Sequence, residues 1–191
     1  MDDATAESTL LDAAEALFNE RGVQAVGMDA LRSASGLSLK RLYRLHPSKD
    51  DLLEAVLRRR SAAVAAGLEH HIAAHHAPRD RLLAVFDFLD AWFAQPDFRG
   101  CVFINTFGEM GGVSPDVAEV ARDHKAAFQA RIASLVAATD VPPAAAPALS
   151  AQLAVLANGA MATAGITGTP DPARHARAAA LTLLEAATAG P

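Results

Sequence analysis

Cysteine occurs once in the 191 residues, which excludes an intrachain disulfide framework and fits a reducing compartment. Aromatic residues are only 5% of the chain, so the core has to be built from aliphatic side chains, and at 51% hydrophobic composition the chain has enough of them. Much of that apolar content is alanine, a strong helix former. β-Branched residues are sparse, and neither period-two alternation nor a hairpin signal is present, so strands are not expected and the chain reads as all-helical. No N-terminal signal peptide is read, and charges, glycine or proline interrupt the long apolar runs, so no membrane span is expected and the chain is placed in the cytoplasm. No nucleophile–base pair or metal-ligand set stands at a recognisable spacing, so the chain is read as a non-enzyme without a cofactor. The length suits one compact domain, or a small one plus a medium one.

Basic residues are missing from one place in particular. Residues 1–20 hold six acids and no lysine or arginine, whereas residues 21–60 hold nine Lys/Arg against four Asp/Glu, and the remainder holds eight against twelve. A chain of net charge −5 therefore carries one local basic segment, which is what phosphate attraction requires. Within it, Met28–Ser35 reads as a short helix and Gly36 as the positive-φ turn after it. Ser38 reads as the N-cap of a second short helix that Pro47 terminates. Leu42 and Leu45 face inward at i,i+3. Lys40, Arg41, Tyr43 and Arg44 project elsewhere, as a basic, aromatic-tipped face of about two turns, the size and chemistry of a major-groove reader.

Gly36-Leu37-Ser38, Leu42-Tyr43, Pro47-Ser48-Lys49 and Leu52-Leu53, preceded by Ala13-Ala14, Leu17-Phe18 and Arg21-Gly22, together resemble the signature of the tetracycline-repressor (TetR/AcrR) family of bacterial regulators. The resemblance covers about the first third of the chain. It implies an all-α protein with an N-terminal three-helix helix-turn-helix DNA-binding domain at 1–47, its motif at about 27–46. A C-terminal helical ligand-binding and dimerisation domain follows at 48–191. It further implies that Leu39, Lys40, Arg41 and Arg44 occupy base-reading positions, Tyr43 the phosphate-contacting aromatic and Lys49 a backbone anchor, with Met28, Ser38 and His46 in the same DNA-facing set. Arg41 and Arg44 can fork onto guanine, whereas Lys40 and Lys49 suit phosphate as point charges. The pattern departs from the family at Gly27, where a capping Thr is usual, and at Asp29, which would repel phosphate. His46 has two readings, a phosphate donor or a helix-end residue.

Ahead of the motif, Ser8 or a neighbour is expected to cap a helix with Leu10, Ala13, Ala14, Leu17 and Phe18 on its buried stripe. Residues 1–7 are expected to be frayed. After the motif, a long linking helix is expected over 48–76. Its Arg58-Arg59-Arg60 run reads as an exposed face or as a DNA contact. Its end carries His70, His71, His75 and His76. His71 and His75 at i,i+4 could share a metal, although a solvated helix end is the plainer reading. A metal-responsive regulator using this cluster is thus an alternative, and a small-molecule-binding helical protein without a DNA role is a further one.

The helix from Pro78 to about Gln95 carries Phe86, Leu89, Trp92 and Phe93 on one broad face. The next segment, Phe98–Gly112, is rich in phenylalanine and nearly uncharged. It reads as a buried helix whose Phe103, Asn105, Phe107 and Glu109 would line a small-molecule cavity or serve as plain core. Arg99 to Glu109 also loosely resembles a recurring ligand-domain subgroup of the family. Cys101 reads as an inert buried thiol, because no lysine or histidine adjoins it in sequence. His124 and Phe128, on the stripe of a helix from Pro115 to about Thr139, and Met161 complete the candidate effector contacts. The last two helices, about Pro147–Ile166 and Ala173–Ala189, hold more smooth apolar surface than one side needs. By the resemblance they form a four-helix interface in a homodimer. The expected partners are a double-stranded DNA operator, a small apolar or amphipathic effector and a second copy of the chain, with no membrane.

Overall fold

A computed structural model describes residues 1–189, which form nine helices and no strand. They are α1 (Asp3–Arg21), α2 (Met28–Ser35), α3 (Leu39–Leu45), α4 (Lys49–Ala73), α5 (Pro78–Phe93), α6 (Val102–Met110), α7 (Pro115–Ala137), α8 (Ala146–Thr167) and α9 (Asp171–Ala189). The chain divides into two compact units, one of Met1–Ala62 with Val102–Asp123 and one of Ala63–Cys101 with the chain from His124 onward.

In the first unit α1 starts five residues before Ser8. Asp2 is its N-cap, accepting the Thr5 N–H at 2.8 Å, and Asp3 adds a favourable negative charge in the first turn. The amides of Thr5 and Ala4 hold the Asp2 carboxyl below its ordinary pKa, the Thr5 bond foremost. Ala6 is fully buried and extends the stripe of Leu10, Ala14, Leu17 and Phe18 by one turn, which is why the helix does not fray there. The helix pair α2–α3 packs on α1 through buried Leu31 and Leu42. Gly36 joins the pair in the left-handed conformation, φ 68°, with its N–H on the Arg32 carbonyl.

Helix α4 opens with a reciprocal cap. The Asp51 amide donates to Ser48 Oγ at 3.0 Å, while the Ser48 N–H donates to Asp51 Oδ2 at 2.9 Å. Arg58 pairs with Glu54 on its own helix, and Arg59 reaches Asp12 and Glu15 at 2.7 and 2.8 Å, so acids of α1 answer part of the arginine run. Helix α6 is not the buried element its composition suggests. Only Phe103 and Thr106 are buried along it, Asn105 and Gly108 are exposed, and the Phe107 ring, 45% exposed, lies under the Arg122 guanidinium.

In the second unit α5, α8 and α9 pack on one another. Helix α5 is buried nearly all round, and Asp87 and Asp90 bind Arg177 and Arg174 of α9 at 2.7 and 3.1 Å. Charges, glycine or proline are expected to interrupt every long apolar run, but Gly159 and Gly165 lie inside the continuous α8. By length and composition alone α8 could cross a membrane. Its Leu149, Leu153, Ala157 and Met161 are instead buried within the unit. At Gly165 a Cβ would stand 2.8 Å from Gly100 Cα, so the close approach of these two backbones requires glycine.

Candidate nucleic-acid interface and effector residues

Helix α3 is short, and its orientation is set at three points. Ser38 Oγ accepts the Arg41 N–H at 3.3 Å, Leu42 is fully buried, and the chain leaves the helix at His46 with its N–H on the Leu42 carbonyl. Burying Leu42 turns Lys40, Tyr43 and Arg44 outward, and Tyr43 is 48% exposed although it is a large ring. Leu39 and Met28 are half-buried at the starts of α3 and α2. Gly27 caps α2 without a side-chain bond, and Asp29 is drawn to Arg32 at 3.3 Å.

The two arginines are not vacant. Arg41, only 23% exposed, donates through Nη2 to the carbonyls of Met1 and Asp2, each at 2.8 Å, and to Asp3 Oδ1 at 3.0 Å. Its Nε is buried without a hydrogen-bond partner. Arg44 Nη2 donates to the same Asp3 oxygen at 2.6 Å. The acidic N-terminus and α3 thus share an open depression of about 650 Å³, lined by Met1–Asp3, Ser38, Lys40, Arg41 and Arg44.

Two residues of the expected DNA-facing set are directed inward. Lys49 Nζ donates to the Val23 carbonyl at 2.6 Å, tying the start of α4 to the turn after α1. His46, at the C-cap of α3, is buried with Nε2 3.7 Å from Glu7 Oε1.

The expected effector residues divide between the units. Phe103, Asn105, Phe107 and Glu109 belong to the first, the others to the second. In the first unit a recess of about 240 Å³ is lined by Phe18, Asn19, Gly22, Val102, Asn105, Thr106 and Glu109. Glu109 is committed there, since its carboxylate accepts the Gln24 N–H at 3.0 Å and its carbonyl accepts the Gln24 amide at 2.9 Å. In the second unit Phe86, Leu89, Phe93, Phe128 and Met161 are buried and Trp92 stacks on Phe88 with centroids 6.0 Å apart. His124 is partly buried, and desolvation, followed by the charge of Lys125, lowers its pKa to about 4.

The fold corrects two further expectations, at the histidine cluster and at Cys101. Helix α4 ends at Ala73, so His75 lies outside it and the i,i+4 pairing with His71 is not made. His71 Nδ1 is engaged with the Gly67 carbonyl at 3.0 Å, and no group of three or more metal-ligating side chains occurs among the described residues. Cys101 is buried as expected, but Lys125 Nζ lies 3.5 Å from its sulfur. Lys125 was not singled out from the sequence, although it stands four residues after Ala121 and three before Phe128, on the same inner stripe.

Two family models match the chain: bacterial regulatory proteins of the tetR family over residues 10–56, and the tetracyclin repressor-like C-terminal domain over residues 78–180. The fold is similar to that of a putative TetR transcriptional regulator from Streptomyces avermitilis, 33% identical over 95% of this chain and 97% of that one, with a TM-score of 0.83. A TetR-family regulator from Streptomyces coelicolor is 24% identical over 97% of both chains, with a TM-score of 0.89. An uncharacterised HTH-type transcriptional regulator of Mycobacterium tuberculosis is 35% identical over 78 residues, 41% of this chain and 39% of that protein's length. With a helix-turn-helix in the first unit, a helical second unit and both family models matched in order, the chain belongs to the tetR family of bacterial transcriptional regulators.

Proposed function

We propose that this regulator is a cytoplasmic homodimeric repressor that a small apolar or amphipathic effector releases from a palindromic operator. The observation that carries the reading is the outward face of α3. It presents Lys40, Tyr43 and Arg44 beside one another on a helix anchored by a buried leucine. In this reading residues 1–47 form the DNA-binding domain and residues 48–191 the effector and dimerisation domain. Arg44, with Arg41 once freed from the N-terminus, reads base edges, and Lys40 and Tyr43 hold phosphate. A single helix of this size reads about half an operator, so specificity calls for two-fold symmetry. Helix α8 supports that symmetry: Val155 is 71% exposed and Ile166 86% exposed on a face shared with Gly159, a surface that a second copy would bury. The effector contacts come from the buried stripe of Phe86, Leu89, Trp92, Phe93, Phe128 and Met161, with His124 as a neutral polar partner. Release follows when the effector binds the DNA-free form better than the DNA-bound one.

Selection of binding sites from random double-stranded DNA tests this. The expected product is an inverted repeat whose half-sites are centred about 10 base pairs, or a multiple of that, apart. Recovery of no preferred sequence, or of a single unpaired half-site, would refute it.

A further inference from the structure

Cations of the second unit generally meet carboxylates. Arg79 binds Glu185 at 2.6 Å, Arg131 binds Glu69 at 2.5 Å and Arg177 binds Asp87 at 2.7 Å. Lys125 does not. Its ammonium donates to Asn158 Oδ1 at 2.6 Å, and its two other neighbours are sulfur atoms, Cys101 Sγ at 3.5 Å and Met161 Sδ at 3.9 Å. None of the three is a carboxylate. Both sulfurs belong to buried side chains, as does Phe128 one turn along α7, so the ammonium is half-buried beside an apolar wall. Among the described residues no carboxylate lies within ion-pair distance of it.

A partly desolvated positive charge with no carboxylate partner is costly, because sulfur is a poor acceptor and one amide oxygen replaces little of the lost hydration. The amide is also held in place, since Asn158 Nδ2 donates to the Ala154 carbonyl at 2.9 Å, which aims the oxygen at Lys125. Lysine at this point of an otherwise apolar stripe is therefore a group awaiting an anion. Neighbouring His124, its pKa lowered to about 4, is neutral at pH 7 and does not compete as a cation.

We infer that Lys125 is the anion-binding end of the effector site, and that the effector is an apolar molecule bearing a carboxylate. The inference rests on the proposed apolar effector site and adds its ligand class. The carboxylate pairs with the ammonium, Asn158 keeps that ammonium oriented, and the apolar body lies along the side of Phe128 and Met161.

The test compares acids with alcohols of matched shape by calorimetric titration of the full-length protein: octanoate against octan-1-ol, and benzoate against benzyl alcohol. At least one acid is expected to bind about 10- to 100-fold tighter than its alcohol, the scale of a charge-assisted hydrogen bond lost. Lys125→Met should abolish that preference while leaving alcohol binding unchanged. Asn158→Asp places a carboxylate beside the ammonium, gives up only the bond to the Ala154 carbonyl and should weaken acid binding comparably, so the result does not depend on how well Lys125→Met folds. A structural tie between α7 and α8 would change stability in the variants but not the acid-to-alcohol ratio. Alcohols that bind as well as the acids, or an acid preference that survives both substitutions, would overturn the role of Lys125 and leave the apolar effector site standing. Failure of all four compounds to bind would overturn both.

Discussion

The contact between the acidic N-terminus and α3, the proposed DNA-reading helix, can be tested by one substitution, Asp3→Asn. One Asp3 oxygen receives Arg41 at 3.0 Å and Arg44 at 2.6 Å, and each guanidinium must give up this oxygen before it can fork onto a base. The Asp3 side chain is 64% exposed and Arg44 61% exposed, which puts that pair in the surface class of about 0–1 kcal/mol, whereas Arg41 is only 23% exposed and its pair stands at the upper end of that range. Breaking both costs at most about 1–2 kcal/mol, and Asp3 would also face phosphate once DNA is bound. The substitution removes the charge but keeps an oxygen acceptor. It should therefore tighten operator binding about three- to tenfold at 50 mM salt, with the gain shrinking as salt screens the exposed pairs. Helix α1 loses a first-turn anion, which costs about 0.3–1 kcal/mol of stability, too little to unfold the unit. Fluorescence anisotropy of a labelled operator, titrated at two salt concentrations, reads the effect. Unchanged or weaker binding by Asp3→Asn would mean that Asp3 positions the arginines for DNA and does not compete with it.

Other substitutions separate the remaining roles. Arg44→Ala should relax base preference at one operator position at a cost of about 1–3 kcal/mol, whereas Lys40→Ala should weaken all sequences alike and lower the salt slope by about one, both read by competition binding. Lys49→Ala, losing the bond to the Val23 carbonyl, should cost about 1 kcal/mol of stability in a urea titration and leave the salt slope unchanged. Val155→Asp on the exposed face of α8 should shift sedimentation from dimer to monomer while helicity by circular dichroism is retained. His124 contributes a pH dependence of known sign. Its folded pKa, about 4, lies below the ordinary 6.5, so the unfolded chain binds the extra proton. Stability should be full above about pH 6.5 and fall toward pH 4, by about 1–2 kcal/mol after discounting for partial exposure, and His124→Gln should flatten that window.

What could be read from the sequence was local. The cap at Ser38, the turn at Gly36, the stop at Pro47 and the apolar stripes of α1, α5 and α7 are each decided within about seven residues, and they yielded the all-helical fold and the outward face of α3. Contacts between distant segments were not legible. Arg41 and Asp3 are 38 residues apart, Lys49 and Val23 are 26 apart, and Lys125 and Cys101 are 24 apart, so no periodicity announces that they meet. Helix α6 misled for a different reason. Phenylalanines at 103 and 107, neighbours at i,i+4 on one face, suggest burial, yet only Phe103 is buried, while the Phe107 ring stays 45% exposed beside the Arg122 guanidinium. The early start of α1 was legible in principle, because Ala6 continues the stripe four residues before Leu10 and Asp2 is a good cap.

The central claim is that the α3 face binds DNA with sequence preference. Binding of the purified protein to the DNA upstream of its own gene, against a scrambled duplex of equal length and at 50 and 200 mM salt, tests it most directly. The expected result is dimeric binding that prefers the upstream DNA, falls steeply with salt and is lost in the Lys40→Ala, Arg44→Ala double variant. Preferred, salt-sensitive binding that the double variant retains would contradict the placement of the DNA face. Equally weak binding to both duplexes by the unaltered protein, together with no preferred sequence from random DNA, would contradict the claim itself.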